Sequence, residues 1–145
     1  VTEDERRWWV ISMASQTLLM AVLGLFGHAY ELVRRIESDA GGEAVLDAMI
    51  FWVDAWLGIQ GKPPEDIAVR LAFRDLTGGP DRDADDVPPE IAWAGRFMAA
   101  RAAGDDDQIV ALINSVPKDA LSGGSRVEAL LFACAGNLQH LAGLL

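Results

Sequence analysis

Apolar residues recur along most of this chain at intervals of three and four. The C-terminal stretch shows it most cleanly: Val127, Leu130, Leu131, Cys134, Leu138, Leu141 and Leu145 form one stripe over 19 residues. That spacing is one face of a helix, expected over 125–144. Upstream, Ile109, Leu112, Ile113 and Val116 follow the i, i+3, i+4, i+7 rule within a helix over 105–116 that Pro117 closes. Pro88, Pro89 and Glu90 open a helix over 89–103, and Pro63–Pro64 with Glu65 and Asp66 open another over 64–77. Leu46, Met49, Ile50, Val53 and Leu57 share a face that Val45, Trp52 and Trp56 widen, so the helix over 43–58 should be central.

The first element is harder to bound. "TEDE" at residues 2–5 has capping-box spacing, with acids suited to the positive end of a helix dipole. The apolar pattern then runs to about Glu37. One straight helix over 3–37 would be roughly 52 Å long, against a diameter near ~38 Å for a domain of this size. A break is therefore expected at about 24–27, where glycines stand. No segment alternates apolar and polar residues for long enough to be a strand, and no pattern recurs at a fixed period. The expected class is all-α, one domain (1–145) built as a bundle or orthogonal array of six to seven helices.

Residues 8–27 carry no charge, which approaches the length of a membrane span. Ser12, Ser15, Gln16 and Thr17 interrupt the run, and Glu3, Asp4 and Glu5 lead it with the wrong sign for a signal peptide. It reads as a buried helix. Just over half of the 145 residues are apolar and 23% are charged, a globular balance. The net charge of −10 is spread over both halves, with no basic stripe to attract a phosphate backbone, so nucleic acid is excluded as a partner. A single cysteine, Cys134, permits no internal disulfide and fits a cytoplasmic setting.

Candidate chemistry is sparse. Asp81, Asp83 and Asp85 have the 1, 3, 5 spacing of an EF-hand-type calcium loop. The sixth position, which needs glycine, is Asp86; the twelfth, which needs a bidentate glutamate, is Ala92. The acids read as a solvated lead-in to the next helix, and no metal is assigned. His28 and Glu31 occur once and in the reverse of the order that di-iron bundles use. Cys134 sits in an apolar stripe, and His140 lies about 240° further round the helix. No phosphate loop, nucleophile elbow or zinc spacing is present. No catalytic residue and no cofactor are assigned.

The five tryptophans offer two readings. Trp52 and Trp56 are one turn apart, so they either fill space between helices or line an aromatic pocket for a small apolar ligand. Trp8 and Trp9 are neighbours and cannot face the same way on a helix, so at least one ring should lie at an edge, where tryptophan anchors interfaces.

The segment "WAGRFMAARAAGDDDQIVALINSVPKD…RVEALLFACA" resembles small helical proteins of actinobacteria that carry no assigned activity. The shared features are a Trp-x-x-Arg helix, an acidic turn, an L-I-x-x-x-P helix and a V-x-x-L-L helix, over about the last 50 residues. The resemblance implies a helical fold and supplies no catalytic residues. Together these readings point to a non-enzymatic helical module that binds a protein, with a second copy of itself as the expected partner. A Trp-lined small-molecule binder and an acidic decoy that occupies a basic protein are the alternatives.

Overall fold

A computed structural model describes residues 2–61 and 87–143. Over these residues the chain is all-helical, with no strand: α1 (Glu3–Val22), α2 (Phe26–Ala40), α3 (Gly42–Gln60), α4 (Pro89–Ala103), α5 (Asp106–Asn114) and α6 (Ala120–Leu141). The helix expected over 64–77 and the aspartates Asp81, Asp83 and Asp85 lie outside the described residues.

Each helix begins and ends for a local reason. Thr2 Oγ1 accepts from the Glu5 amide at 3.1 Å while Thr2 N–H donates to the Glu5 carboxylate at 3.4 Å, closing the capping box of α1. The long apolar run then breaks at Gly24, whose φ of +82° only glycine adopts readily. Gly24 N–H bonds Ala21 O at 3.0 Å and Leu25 N–H bonds Met20 O at 2.8 Å, the paired bonds of a Schellman stop. Gly104, at φ +69°, ends α4 in the same way through bonds to Arg101 O and Ala100 O. Asp105 then caps α5 by accepting from the Gln108 amide at 3.1 Å.

Three boundaries differ from the sequence pattern by three residues or more, one of them the end of α6 at Leu141 in place of 144. α2 runs on through Ser38, Asp39 and Ala40, because Ala40 is buried and its carbonyl accepts from the guanidinium of Arg6 on α1. α6 begins at Ala120, five residues ahead of the start expected near Ser125, and so includes the glycine pair Gly123–Gly124. Each internal glycine costs a helix about 1 kcal/mol relative to alanine. Asp119 offsets this: its Oδ1 accepts from the amides of Leu121 (3.1 Å) and Ser122 (2.8 Å), and Oδ2 from the Ser122 hydroxyl (2.6 Å).

Hydrogen bonds from the Ser122 side chain and backbone, then from Leu121, hold the Asp119 carboxyl below the usual carboxylate range. A depressed folded-state value contributes stability fully above the unfolded value, and that contribution is lost as pH falls through the folded value. Asp119→Ala should therefore raise hydrogen-exchange rates at Leu121 and Ser122 at neutral pH. The difference from wild type should vanish once acid protonates Asp119.

α1 and α2 form an antiparallel hairpin, and α3 returns alongside α1. Packing against α1, α3 and α4 makes α6 the centre of the fold, while α5 packs on α4. The core is built from Trp52, Trp56, Phe97, Met98, Leu130 and Leu131, none more than marginally exposed. Ala94, Ala99, Ala133 and Ala135 are buried on α4 and α6, which pack on one another. Phe26 on α2 and Phe132 on α6 meet with ring centroids 5.0 Å apart. The ends of helices are also tied across the fold: Gln139 Nε2 on α6 donates to Val22 O at the end of α1 at 2.7 Å.

Candidate functional site

Of the two readings of Trp52 and Trp56, packing between helices is the one their burial supports. Both rings are fully buried. Trp52 Nε1 donates to the carbonyl of Ala14 on α1 at 3.0 Å, and Trp56 Nε1 donates to Gln60 Oε1 at 2.7 Å. Their polar atoms are spent inside the protein, and their apolar surface closes the space between α3 and its neighbours.

Trp8 and Trp9 diverge as neighbours on a helix must. Trp9 is half-buried against the core, whereas Trp8 is 71% exposed. Leu19 and Leu23 are also exposed, and with Ser12 and Ser15 they continue the same side of α1. At 100° per residue, positions 8, 12, 15 and 19 fall within a ~60° arc. No charge occurs from Trp8 to Gly27, so this outer face is uncharged from Trp8 onward, with the exposed Asp4 and Glu5 one turn before it.

A second surface lies about 150° round the same helix. Here α1 and α3 flank a half-open groove of about 770 Å³. Val10, Ile11 and Ala14 face Ala44, Ile50 and Phe51 across it, and the polar positions are Thr2, Glu3, Arg6, Arg7, Glu43, Asp47 and Asp54. Asp54 is engaged by Arg101 of α4, at 2.8 and 3.0 Å in a two-pronged pair, and this hydrogen bond raises the guanidinium pKa further. Arg6 is engaged by the Ala40 carbonyl. The spacing of Glu43, Asp47 and Asp54 by four and seven marks an acidic stripe on α3 that is legible in the sequence. Its facing apolar wall on α1 is not legible, because it requires knowing that α3 returns beside α1.

Cys134, His28, Glu31 and His140 do not line the groove. Cys134 is fully buried, and burial pushes its thiol far up, which keeps it protonated and a poor nucleophile. His28 and Glu31 are exposed, as is His140. Burial, with Glu128 nearby, raises the Tyr30 phenol and keeps it neutral. Among the described residues no group of three or more His, Cys, Asp or Glu side chains is placed to hold a metal ion. Among those residues, too, no helix is long and apolar enough to cross a membrane. No protein-family model, no curated protein and no solved structure matches the chain.

Proposed function

We propose that the protein is a non-catalytic interaction module of the cytoplasm, and that it self-associates through the outer face of α1. The observation that carries this reading is the exposure of Trp8 (71%), Leu19 (53%) and Leu23 (60%) on one uncharged helix side. These three side chains leave about 380 Å² of apolar surface in water per protomer, taking a fully exposed Trp as ~250 Å². A two-fold contact would bury about twice that from them alone, and the residues between bring it to the ~1,000 Å² that specific interfaces need.

The pattern is self-complementary. Trp8 and Leu19 are equidistant from a midpoint flanked by Ser12 and Ser15. An antiparallel pairing across a two-fold axis sets Trp8 beside the partner's Leu19 at both ends, and the serines let the backbones approach at the crossing. Two chains of charge −10 repel, and an uncharged contact face keeps the fixed charges furthest from each other.

Light scattering coupled to size-exclusion chromatography tests this. The wild type should have a mass of about 31 kDa, twice the 15.6 kDa chain. Trp8→Glu should elute at 15.6 kDa with unchanged far-UV circular dichroism, since Trp8 contributes little to the core. A wild-type mass of one chain at high concentration would sink the self-association reading.

A further inference from the structure

The groove between α1 and α3 is shaped for something longer than a metabolite. Its lining runs from Thr2 to Ala14 on α1 and from Glu43 to Asp54 on α3. At 1.5 Å per residue those spans are about 18 and 17 Å, three helical turns. Spread over that length, 770 Å³ corresponds to a cross-section of about 45 Å². A complete helix of ~10 Å diameter needs nearly twice that, so the groove accommodates the side chains of one helix face and leaves the opposite face in solvent.

The chemistry of the lining selects the occupant. The centre is apolar, with Val10, Ile11, Ile50 and Phe51 on the two walls. Around it stand four carboxylates, Glu3, Glu43, Asp47 and Asp54, against two guanidinium groups, Arg6 and Arg7. Asp54 is neutralised by Arg101, whereas Arg6 keeps its charge while donating to the neutral Ala40 carbonyl, so the lining carries Glu3, Glu43 and Asp47 against Arg6 and Arg7, with the acids Glu43 and Asp47 together on the α3 wall. The rest of the molecule adds to that sign, at −10 overall.

We infer that this groove is a docking site for a basic amphipathic helix of a partner protein. Leu-type residues at i, i+3, i+4 and i+7 would enter the apolar centre, and flanking Lys or Arg would meet Glu43 and Asp47. The inference rests on the reading of the chain as an interaction module but not on self-association, because the groove and the outer face of α1 point in different directions.

Fluorescence anisotropy with three labelled peptides of ~18 residues, long enough to hold a helix on binding, provides the test. The first has Leu at i, i+3, i+4 and i+7 with Lys and Arg elsewhere; the second has the same composition scrambled to destroy the apolar face; the third carries Glu for each Lys and Arg. The first should bind, and the others should bind at least ten-fold more weakly. Glu43→Lys combined with Asp47→Lys should weaken the first peptide roughly ten-fold, from two lost charge contacts. The charge-matched pair Glu31→Lys and Glu37→Lys, exposed on α2, should change it less than two-fold.

Equal weakening by both pairs, or equal binding of the scrambled peptide, would reduce the effect to net charge and overturn the site. Preference for the Glu peptide, or no binding by any, would overturn it as well. Trp8→Glu should leave peptide affinity unchanged; if it abolishes binding, the peptide occupies the outer face of α1 and the groove assignment falls. Peptide binding by a protein whose mass is that of one chain would support the groove while removing self-association.

Discussion

Replacing Trp52 by alanine should lower the unfolding free energy by about 3–5 kcal/mol, a third or more of the stability of an ordinary domain. The ring has no exposed surface, lies on α3 and reaches α1 through the Ala14 carbonyl. Truncation therefore removes transfer free energy and leaves a cavity that three packed helices cannot fill by small shifts. Trp52→Phe separates the two contributions. It keeps much of the volume but loses the indole donor, and it should cost about 1–2 kcal/mol. Trp56→Phe should cost less than Trp52→Phe, because the partner lost is the side chain of Gln60, which can turn to solvent. Urea unfolding followed by circular dichroism measures all three. An alanine variant within 1 kcal/mol of wild type, by linear extrapolation, would contradict the central placement of Trp52.

Trp93→Ala should have a comparable effect, but with a local signature. Trp93 on α4 is 5% exposed, stacks against Phe97 with centroids 5.3 Å apart, and donates to Leu112 O near the end of α5 at 2.9 Å. α5 has only nine residues, too few to hold a helix alone, and its two buried side chains are Ile109 and Leu112. Removing the indole takes away packing on which α5 depends and one acceptor contact at its C-terminal end. We expect a loss of about 3–5 kcal/mol, with amide protection in α5 lost before that of α6. Trp93→Phe should retain α5, because Ser115 Oγ still donates to Leu112 O at 2.7 Å. Native-state hydrogen exchange distinguishes these outcomes. Uniform loss of protection across α5 and α6 in Trp93→Ala would show that α5 is not separately anchored.

The outcomes for these tryptophans show where sequence reasoning stops. Periodicity placed Trp52 and Trp56 one turn apart on a rich apolar face, but a face of that kind can close on a neighbouring helix or enclose a ligand. Deciding between the two required the position of Ala14, 38 residues away, whose carbonyl accepts the indole proton. Trp8 and Trp9 were different. Helical geometry forbids both rings from one face, so exposure of one could be stated in advance, and α1 turns Trp8 outward. The late expected start of α6 had another cause. The apolar stripe that marks α6 begins only at Val127, whereas the cap at Asp119 starts the helix at Ala120 and carries it through Gly123–Gly124.

What the sequence determined by itself is the helical class, the capping box at Thr2, the turn at Gly24 and the absence of a basic field. Each depends on contacts within one or two turns or on summed charge, which are insensitive to how helices are arranged. Tertiary structure alone decided that α3 returns beside α1, that Arg6 reaches Ala40, and that an acidic stripe on one helix meets an apolar wall on another to form a groove. Those features join residues about 40 positions apart, and no local preference encodes their meeting. They arise when amphipathic faces choose partners, because the burial that drives the choice is proportional to area and carries no sequence address.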